Sequence, residues 1–277
     1  MNDATFFTDH WKEVGEDRVA RYERMFQWRD EQRALLEGAG LAPGQRVLDV
    51  GSGPGFFALG LADLVAPAGR VDGVDINERF VADAQVRSAH RPEVQFHRVD
   101  DHRLPFSDGV FDRVVCKNVL EYVPDLEASL SECARVLKPG GRIHILDRDW
   151  GFVVVEPWGK ETVDRFFAAA APAFKEPHIG RKAAGAIARA GFDDIGVKVV
   201  PIVDRAGGTL NVLTNMAGYI REFGSLPEHE VTDLLNRAET GIDDGRYLFC
   251  LPQFLVSGSK PAHERDMTGD SGPTGAI

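Results

Sequence analysis

The stretch Val47-Leu-Asp-Val-Gly-Ser-Gly-Pro-Gly55 constrains this chain more than any other. An apolar run short enough to be a buried strand ends at Val50, and the chain must then turn sharply into a segment with Phe57, Leu61, Leu64 and Val65 at helical spacing. The unit is strand, glycine turn, helix. Gly51 and Gly53 carry no Cβ, so backbone and ligand can approach closely there. The helix behind them offers free N–H groups. A plain glycine-rich turn would read the same way, because isolated glycine patterns are weak signals. Two details narrow the choice. The dinucleotide fingerprint requires glycine or alanine where this chain has Phe56, and a large side chain there obstructs close helix–strand packing. Asp49 sits in the strand end ahead of the turn, where negative charge suits a cationic ligand better than a pyrophosphate.

The same alternation continues downstream. Residues 70–76, 94–99, 111–116 and 142–146 read as strands, separated by helical patterns over 78–90 and from Leu126 to Leu137, where Lys-Pro-Gly-Gly141 stops the helix. Strands alternating with helices predict a doubly wound, mostly parallel, seven-stranded Rossmann-like sheet with an antiparallel last strand. Upstream, residues 16–36 read as one helix broken by Ala42-Pro43-Gly44. Beyond 150 the pattern loosens. Helices are expected at about 161–170 and 182–190, a strand at 195–203, and helix again over 209–243, where Ser225-Leu-Pro-Glu228 fits a capping box. Residues 247–251 together with 254–256 read as closing the sheet. The expected organisation is one domain over 1–260, with its core at 40–150. Cap insertions at 152–180 and 209–243, with the N-terminal helix, are expected to fold over the crevice mouth. The small, polar stretch 261–277 reads as a disordered tail.

Composition removes several classes. The 277 residues are 43% hydrophobic and carry a formal charge of −11, so a phosphate backbone is a poor partner and no basic cluster compensates. Three widely spaced cysteines define neither a disulfide framework nor a metal pair. No stretch approaches the ~18 apolar residues of a membrane helix, and the N-terminus lacks a signal-peptide pattern. These features predict a soluble, cytoplasmic protein with nucleic acid a poor partner; oligomeric state is left open.

Asp75 ends the second strand, where doubly wound folds place a carboxylate against ribose hydroxyls; the competing role, helix N-cap, can be filled by Asn77. The segments VLDVGSGPG, GVDIN, VDDHRLPFSDGVFDRVVCKNVLEYVPD and RVLKPGG together resemble the class I S-adenosylmethionine-dependent methyltransferases. The likeness is to the branch with the ubiquinone- and menaquinone-biosynthesis C-methyltransferases and many small-molecule enzymes, and it covers about residues 40–150. It implies S-adenosyl-L-methionine above the first, second and fourth strands. Asp49, Gly51, Ser52 and Gly53 would approach its methionine part, Asp75 the ribose, and Ile76 the adenine. Asp100, Asp101 and His102 would meet the adenine edge, with Lys117 and Asn118 beneath the sulfonium. Lys117 departs from the small residue usual there, and its amine is expected to point elsewhere.

Methyl transfer from a sulfonium is an in-line displacement, so a general base is required only if the nucleophile must lose a proton. Asp149, His178 and His10 are the catalytic candidates. Asp147, Arg148 and Trp150 after the fifth strand, and Glu121 and Tyr122 after the fourth, are candidates to hold substrate. Trp11, Trp28, Trp150 and Trp158 could wall an apolar acceptor or simply bury area. No metal is expected, since His97 and His102 beside the aspartates match no familiar site. Two other readings stay open: a nicotinamide-dependent oxidoreductase, disfavoured by Phe56, and a family member that binds the cofactor without methylating, as a cyclase or a sensor. The acceptor atom (carbon, oxygen or nitrogen) is not specified, because a fold does not fix a function.

Overall fold

Alternation along each strand decides which side of the sheet covers it. In β1 (Arg46–Val50), Val47 faces one layer and Leu48 the other, and both are fully buried. The computed structural model describes residues 5–100 and 103–262. Its main sheet adds β2 (Arg70–Asp75), β3 (Val94–Arg98), β4 (Phe111–Lys117), β5 (Leu137–Arg148), β7 (Asp193–Val200) and β10 (Gln253–Ser259). The order is β3-β2-β1-β4-β5-β10-β7. β1 pairs parallel with β2 and β4, whereas β10 runs antiparallel to both neighbours, as expected.

One layer holds α3 (Phe56–Val65) and α4 (Glu78–Arg87) with Val47, Val71, Val115, Leu146 and Leu255. The other holds α5 (Leu126–Val136) and α7 (Ile179–Arg189) with Leu48, Val114, Ile143, Ile145 and Val256. Neighbours in sequence thus serve opposite layers, which is the two-residue period of a strand.

The remaining elements build a second core. α1 (Phe6–Lys12) and α2 (Glu16–Phe26) precede the sheet, while α6 (Lys160–Ala170), α8 (Leu210–Phe223) and α9 (Glu228–Asp243) come from the two insertions. α1, α6, α8 and α9 surround a small antiparallel sheet of β6 (Val154–Glu156), β9 (Leu248–Cys250) and β8 (Val203–Asp204), whereas Val19 and Tyr22 of α2 pack with Phe80 of α4. Phe6, Val155, Phe166, Leu213, Val231, Ala238 and Phe249 share one apolar cluster. Trp150, just past β5, belongs to it, and Tyr122, past β4, packs against it. The insertions therefore rest on the carboxyl ends of central strands.

Three expectations need correction. The helix anticipated over residues 16–36 is two pieces: α2 stops at Phe26, Gln27 and Arg29 turn extended, and a 3-10 helix spans Asp30–Ala39. The break lays Trp28 across α3 at Gly60, where a Cβ would lie 2.2 Å from the indole. The Ser225–Glu228 capping box does not form, because Pro227 is the N-cap of α9. Ser225 N–H is used instead to donate to Ile220 C=O at 3.1 Å, closing α8 behind Gly224. Finally, residues 247–251 do not close the main sheet. Pro252, which lacks an N–H, separates β9 from β10, and Phe249 is buried with Val155 in the cap. Smaller shifts are that α7 begins at Ile179 rather than 182, and that the strand expected over 195–203 ends at Val200 before the short β8.

Candidate active site

The turn after β1 is shaped by what packs on it. Gly51 and Gly53 adopt φ of 70° and 53°, which L side chains disfavour. A Cβ at Gly51 would lie 2.2 Å from Val119, in the loop after β4. Gly51 and Ser52 N–H groups donate to Val74 C=O at 2.8 and 2.9 Å, tying the turn to β2. From the end of β2, Asp75 grips the turn in return: its Oδ2 accepts from Gly53 N–H (2.7 Å) and its Oδ1 from Asn77 N–H (2.8 Å). A carboxylate has about four lone-pair sites, so this leaves capacity for further donors such as a vicinal diol. Asn77, not Asp75, caps α4 by accepting from Phe80 N–H. Ile76 follows Asp75 and is partly exposed beside it.

Buried polar atoms without partners collect here. Asp49 Oδ2, Ser52 Oγ and Asn118 Oδ1 are all buried and make no hydrogen bond. Native interiors seldom leave such atoms unpaired, so each invites an explanation. Burial pushes the Asp49 carboxyl up to about 8, against the pull of Lys117. Burial also brings the Lys117 ammonium down to about 8, with Arg148 adding to the effect and Asp49 opposing it. Lys117 Nζ lies 4.9 Å from the Phe57 ring centroid, on the α3 side. Asn118 takes φ 54° while its N–H donates to Leu146 C=O. This set suits a zwitterionic, cationic ligand: an unsatisfied carboxylate, a hydroxyl and an amide oxygen surround a turn held open by glycine.

The other cofactor candidates diverge. Asp100 is exposed and paired with Arg98 at 2.7 Å. Asp101 and His102 lie outside the described residues. His97 bonds Asp72 at 3.1 Å, and among the described residues no three His, Cys, Asp or Glu side chains gather as metal ligands would.

The catalytic candidates separate as well. Asp149 is fully buried and heavily committed, accepting from Gly151 N–H, His178 Nδ1 and two Arg181 nitrogens. Burial alone would raise this carboxyl, but the hydrogen bonds from Arg181, Gly151 and His178 and the Arg181 charge together hold it below the usual range. Asp149 thus links the end of β5 to the start of α7, hydrogen-bonded to His178 and ion-paired with Arg181. His10 is buried in the cap. Its Nδ1 faces Phe6 C=O at 2.5 Å; a carbonyl has no proton to give, so Nδ1 donates and Nε2 accepts from Tyr219 Oη at 3.2 Å. Burial brings this imidazole down to about 4, so it is neutral at pH 7.

Around His10 stands an aromatic cluster that sequence reasoning only partly anticipated. Trp11 lies 5.1 Å from both Tyr22 and Tyr122, and Tyr22 stacks on Phe26. Trp11 C=O accepts from Asn77 Nδ2 at 2.7 Å, fastening α1 beside the end of β2. Trp11 Nε1 and Glu121 Oε1 are buried without partners. Glu121 Oε2 accepts from Trp150 Nε1 (2.6 Å), and burial raises its carboxyl despite the nearby Arg148. Asp147, also buried, is raised by burial and by Glu121. Trp158 donates to Leu234 C=O within the cap and Trp28 packs on α3, so these two serve packing. Arg18, Tyr22 and Tyr219 carried no sequence signal. Tyr22 and its partner Asn215 are 193 residues apart, and only folding shows that they meet.

Residues 48–145 match the family described as Methyltransferase domain. Among curated proteins, a 37.1 kDa protein from a Streptomyces fradiae transposon is 36% identical over 46% of this chain and 37% of its own length. Demethylmenaquinone methyltransferase of Staphylococcus aureus is 32% identical over 47% of this chain and 53% of its own. The chain thus spans about half or less of the curated relatives it matches. Among solved structures, Haemonchus contortus phosphoethanolamine N-methyltransferase 2 in complex with S-adenosyl-L-methionine superposes with a TM-score of 0.63 at 20% identity. That superposition covers 92% of this chain and 60% of the other, and it shows a shared fold.

Proposed function

We propose that this chain is an S-adenosylmethionine-dependent methyltransferase acting on a small organic molecule bound between the sheet's carboxyl ends and the cap. The observation that carries the reading is the group of unpartnered buried atoms, Asp49 Oδ2, Ser52 Oγ and Asn118 Oδ1, around the glycine turn. It lies within the segment that matches the methyltransferase family. Asp75 would accept from the ribose hydroxyls with its spare lone pairs, Ile76 would line the adenine, and Asp49 would neutralise the methionine ammonium or the sulfonium. The bound cofactor supplies an already activated methyl group. The protein's share is then to align the acceptor and exclude water. Trp11, Tyr22 and Tyr122 would form the acceptor wall, and the α1, α6, α8 and α9 cap would keep solvent out. Neutral His10 has its accepting nitrogen engaged by Tyr219, which supports positioning rather than proton abstraction.

The domain reading goes with it: one methyltransferase unit with a cap drawn from 152–180 and 209–243. No described helix is long and apolar enough to cross a membrane. A cytoplasmic setting and a partner set without nucleic acid belong to the same proposal, supported by the net charge of −11.

Isothermal titration with S-adenosylmethionine, wild type against Asp75→Ala, tests the cofactor site. Micromolar binding is expected for the wild type and a loss of about tenfold or more for the variant, since hydrogen bonds to a charged group contribute about 1.5–3 kcal/mol. No binding by folded wild type would remove the proposal. Release of S-adenosylhomocysteine with an acceptor panel then separates a transferase from a protein that only holds the cofactor.

A further inference from the structure

Arg18 is a guanidinium held by phenol rings. It reaches from α2 into the aromatic cluster, where Nη2–H donates to Tyr22 Oη at 2.9 Å. Its central carbon lies 5.5 Å from the Tyr22 ring centroid and 5.9 Å from that of Tyr219. Arg79, Arg91, Arg135, Arg181 and Arg221 each hold an acidic side chain; no described residue forms an ion pair with Arg18. Phenol oxygens and ring faces offer it lone pairs and quadrupoles but no compensating charge. A half-buried cation paired this way is poorly compensated. Its planar fork of five donors, one of them used by Tyr22, matches a carboxylate or phosphate. A second donor waits nearby. Trp11, 5.1 Å from Tyr22, has a buried Nε1–H with no acceptor. Trp11 is also the residue bonded to Asn77 next to the proposed adenosine site.

We propose that Arg18, with Trp11 Nε1, binds an oxyanion carried by the methyl acceptor, a carboxylate or phosphate on an aromatic or apolar body. This substrate class rests on the proposed methyltransferase function. The rings of Trp11, Tyr22 and Tyr122 receive the apolar body, and Arg18 orients it by its charged end.

The test is isothermal titration of the full chain, saturated with S-adenosylhomocysteine, using benzoate, phenyl phosphate and benzyl alcohol as probes. Cofactor affinity is measured on the same preparations, so failure of the cofactor reading is seen separately. Benzoate or phenyl phosphate should bind at least about tenfold tighter than benzyl alcohol, the scale of a charge-assisted contact. Whichever anion binds tighter assigns carboxylate or phosphate. Arg18→Met should erase that preference while leaving S-adenosylhomocysteine affinity unchanged, and Arg18→Lys should retain part of it. Arg221→Met, a change on the exposed end of α8, should alter nothing. Equal binding of all three probes by the wild type, or an anion preference that survives in Arg18→Met, would overturn the proposal. If Arg18→Met does not fold, the wild-type comparison and Arg18→Lys still decide it.

Discussion

Asp49 concentrates the electrostatics of the site in one side chain. Burial lifts its carboxyl to about 8, far above the ~4 of a solvated aspartate. Between those values the folded chain keeps a proton that the unfolded chain has released. This group therefore costs the ligand-free fold stability as pH rises from about 4 to about 8. Asp49→Asn is expected to raise the Tm of ligand-free protein at about pH 8.5, where calorimetry would detect about 1–3 kcal/mol from removing a desolvated charge. The same change should weaken cofactor binding, because a cationic ligand favours the ionised carboxylate. For the wild type, affinity should increase with pH up to about 8, and in the variant that slope should flatten; a titration series at several pH values checks both. Gly51 is constrained in a different way. Its φ of 70° and the 2.2 Å approach of a would-be Cβ to Val119 leave no room for a methyl. Gly51→Ala should cost about 2 kcal/mol or more in chemical denaturation.

At the level of elements, the departures from local propensity all trace to tertiary partners. Residues 27–29 leave the helix because Trp28 docks on α3, and α9 starts at Glu228 because Ser225 is used in closing α8. The start of α7 is likewise held from outside, by Asp149 at the end of β5, which accepts from Arg181 N–H as well as from its guanidinium. Asp149→Ala strands a half-exposed arginine beside an apolar interior. Partial burial puts the expected cost at about 2–4 kcal/mol, toward the lower end of values for broken buried pairs. Cofactor affinity should be unchanged within about twofold, since Asp149 lies outside the proposed cofactor contacts. Urea denaturation and titration on one preparation would check this, and a large loss of affinity without destabilisation would return Asp149 to the site.

On the scale of the whole molecule, α1 bridges the cap and the sheet. α1 joins the cap core through Phe6 and reaches the sheet through the bond between Trp11 C=O and Asn77, one residue from Ile76. A ligand filling the crevice should therefore order α1 before it affects distant α9. Hydrogen exchange with and without S-adenosylmethionine is expected to show slowed exchange over residues 6–12 and 51–55, with little change over 228–243. Uniform slowing throughout the cap would instead indicate global stabilisation.

The architecture of the core was legible in the primary structure because it rests on local periodicity. Val47 to Val50, the glycine turn and the apolar spacing of α3 each require one conformation, and their repetition implies a doubly wound sheet. Asp75 and Asn77 were both candidates to cap α4, since the two residue types cap about equally well, and the fold gave that role to Asn77. What the sequence by itself could not determine was everything that depends on distant residues meeting. The place of residues 247–251 in the cap, the pairing of Asp149 with Arg181, and the convergence of Arg18, Trp11, Tyr122 and Tyr219 from separate segments carry no short-range signal. Those arrangements are chosen by the burial of side chains that become neighbours only once the sheet has formed, so only the tertiary structure could decide them.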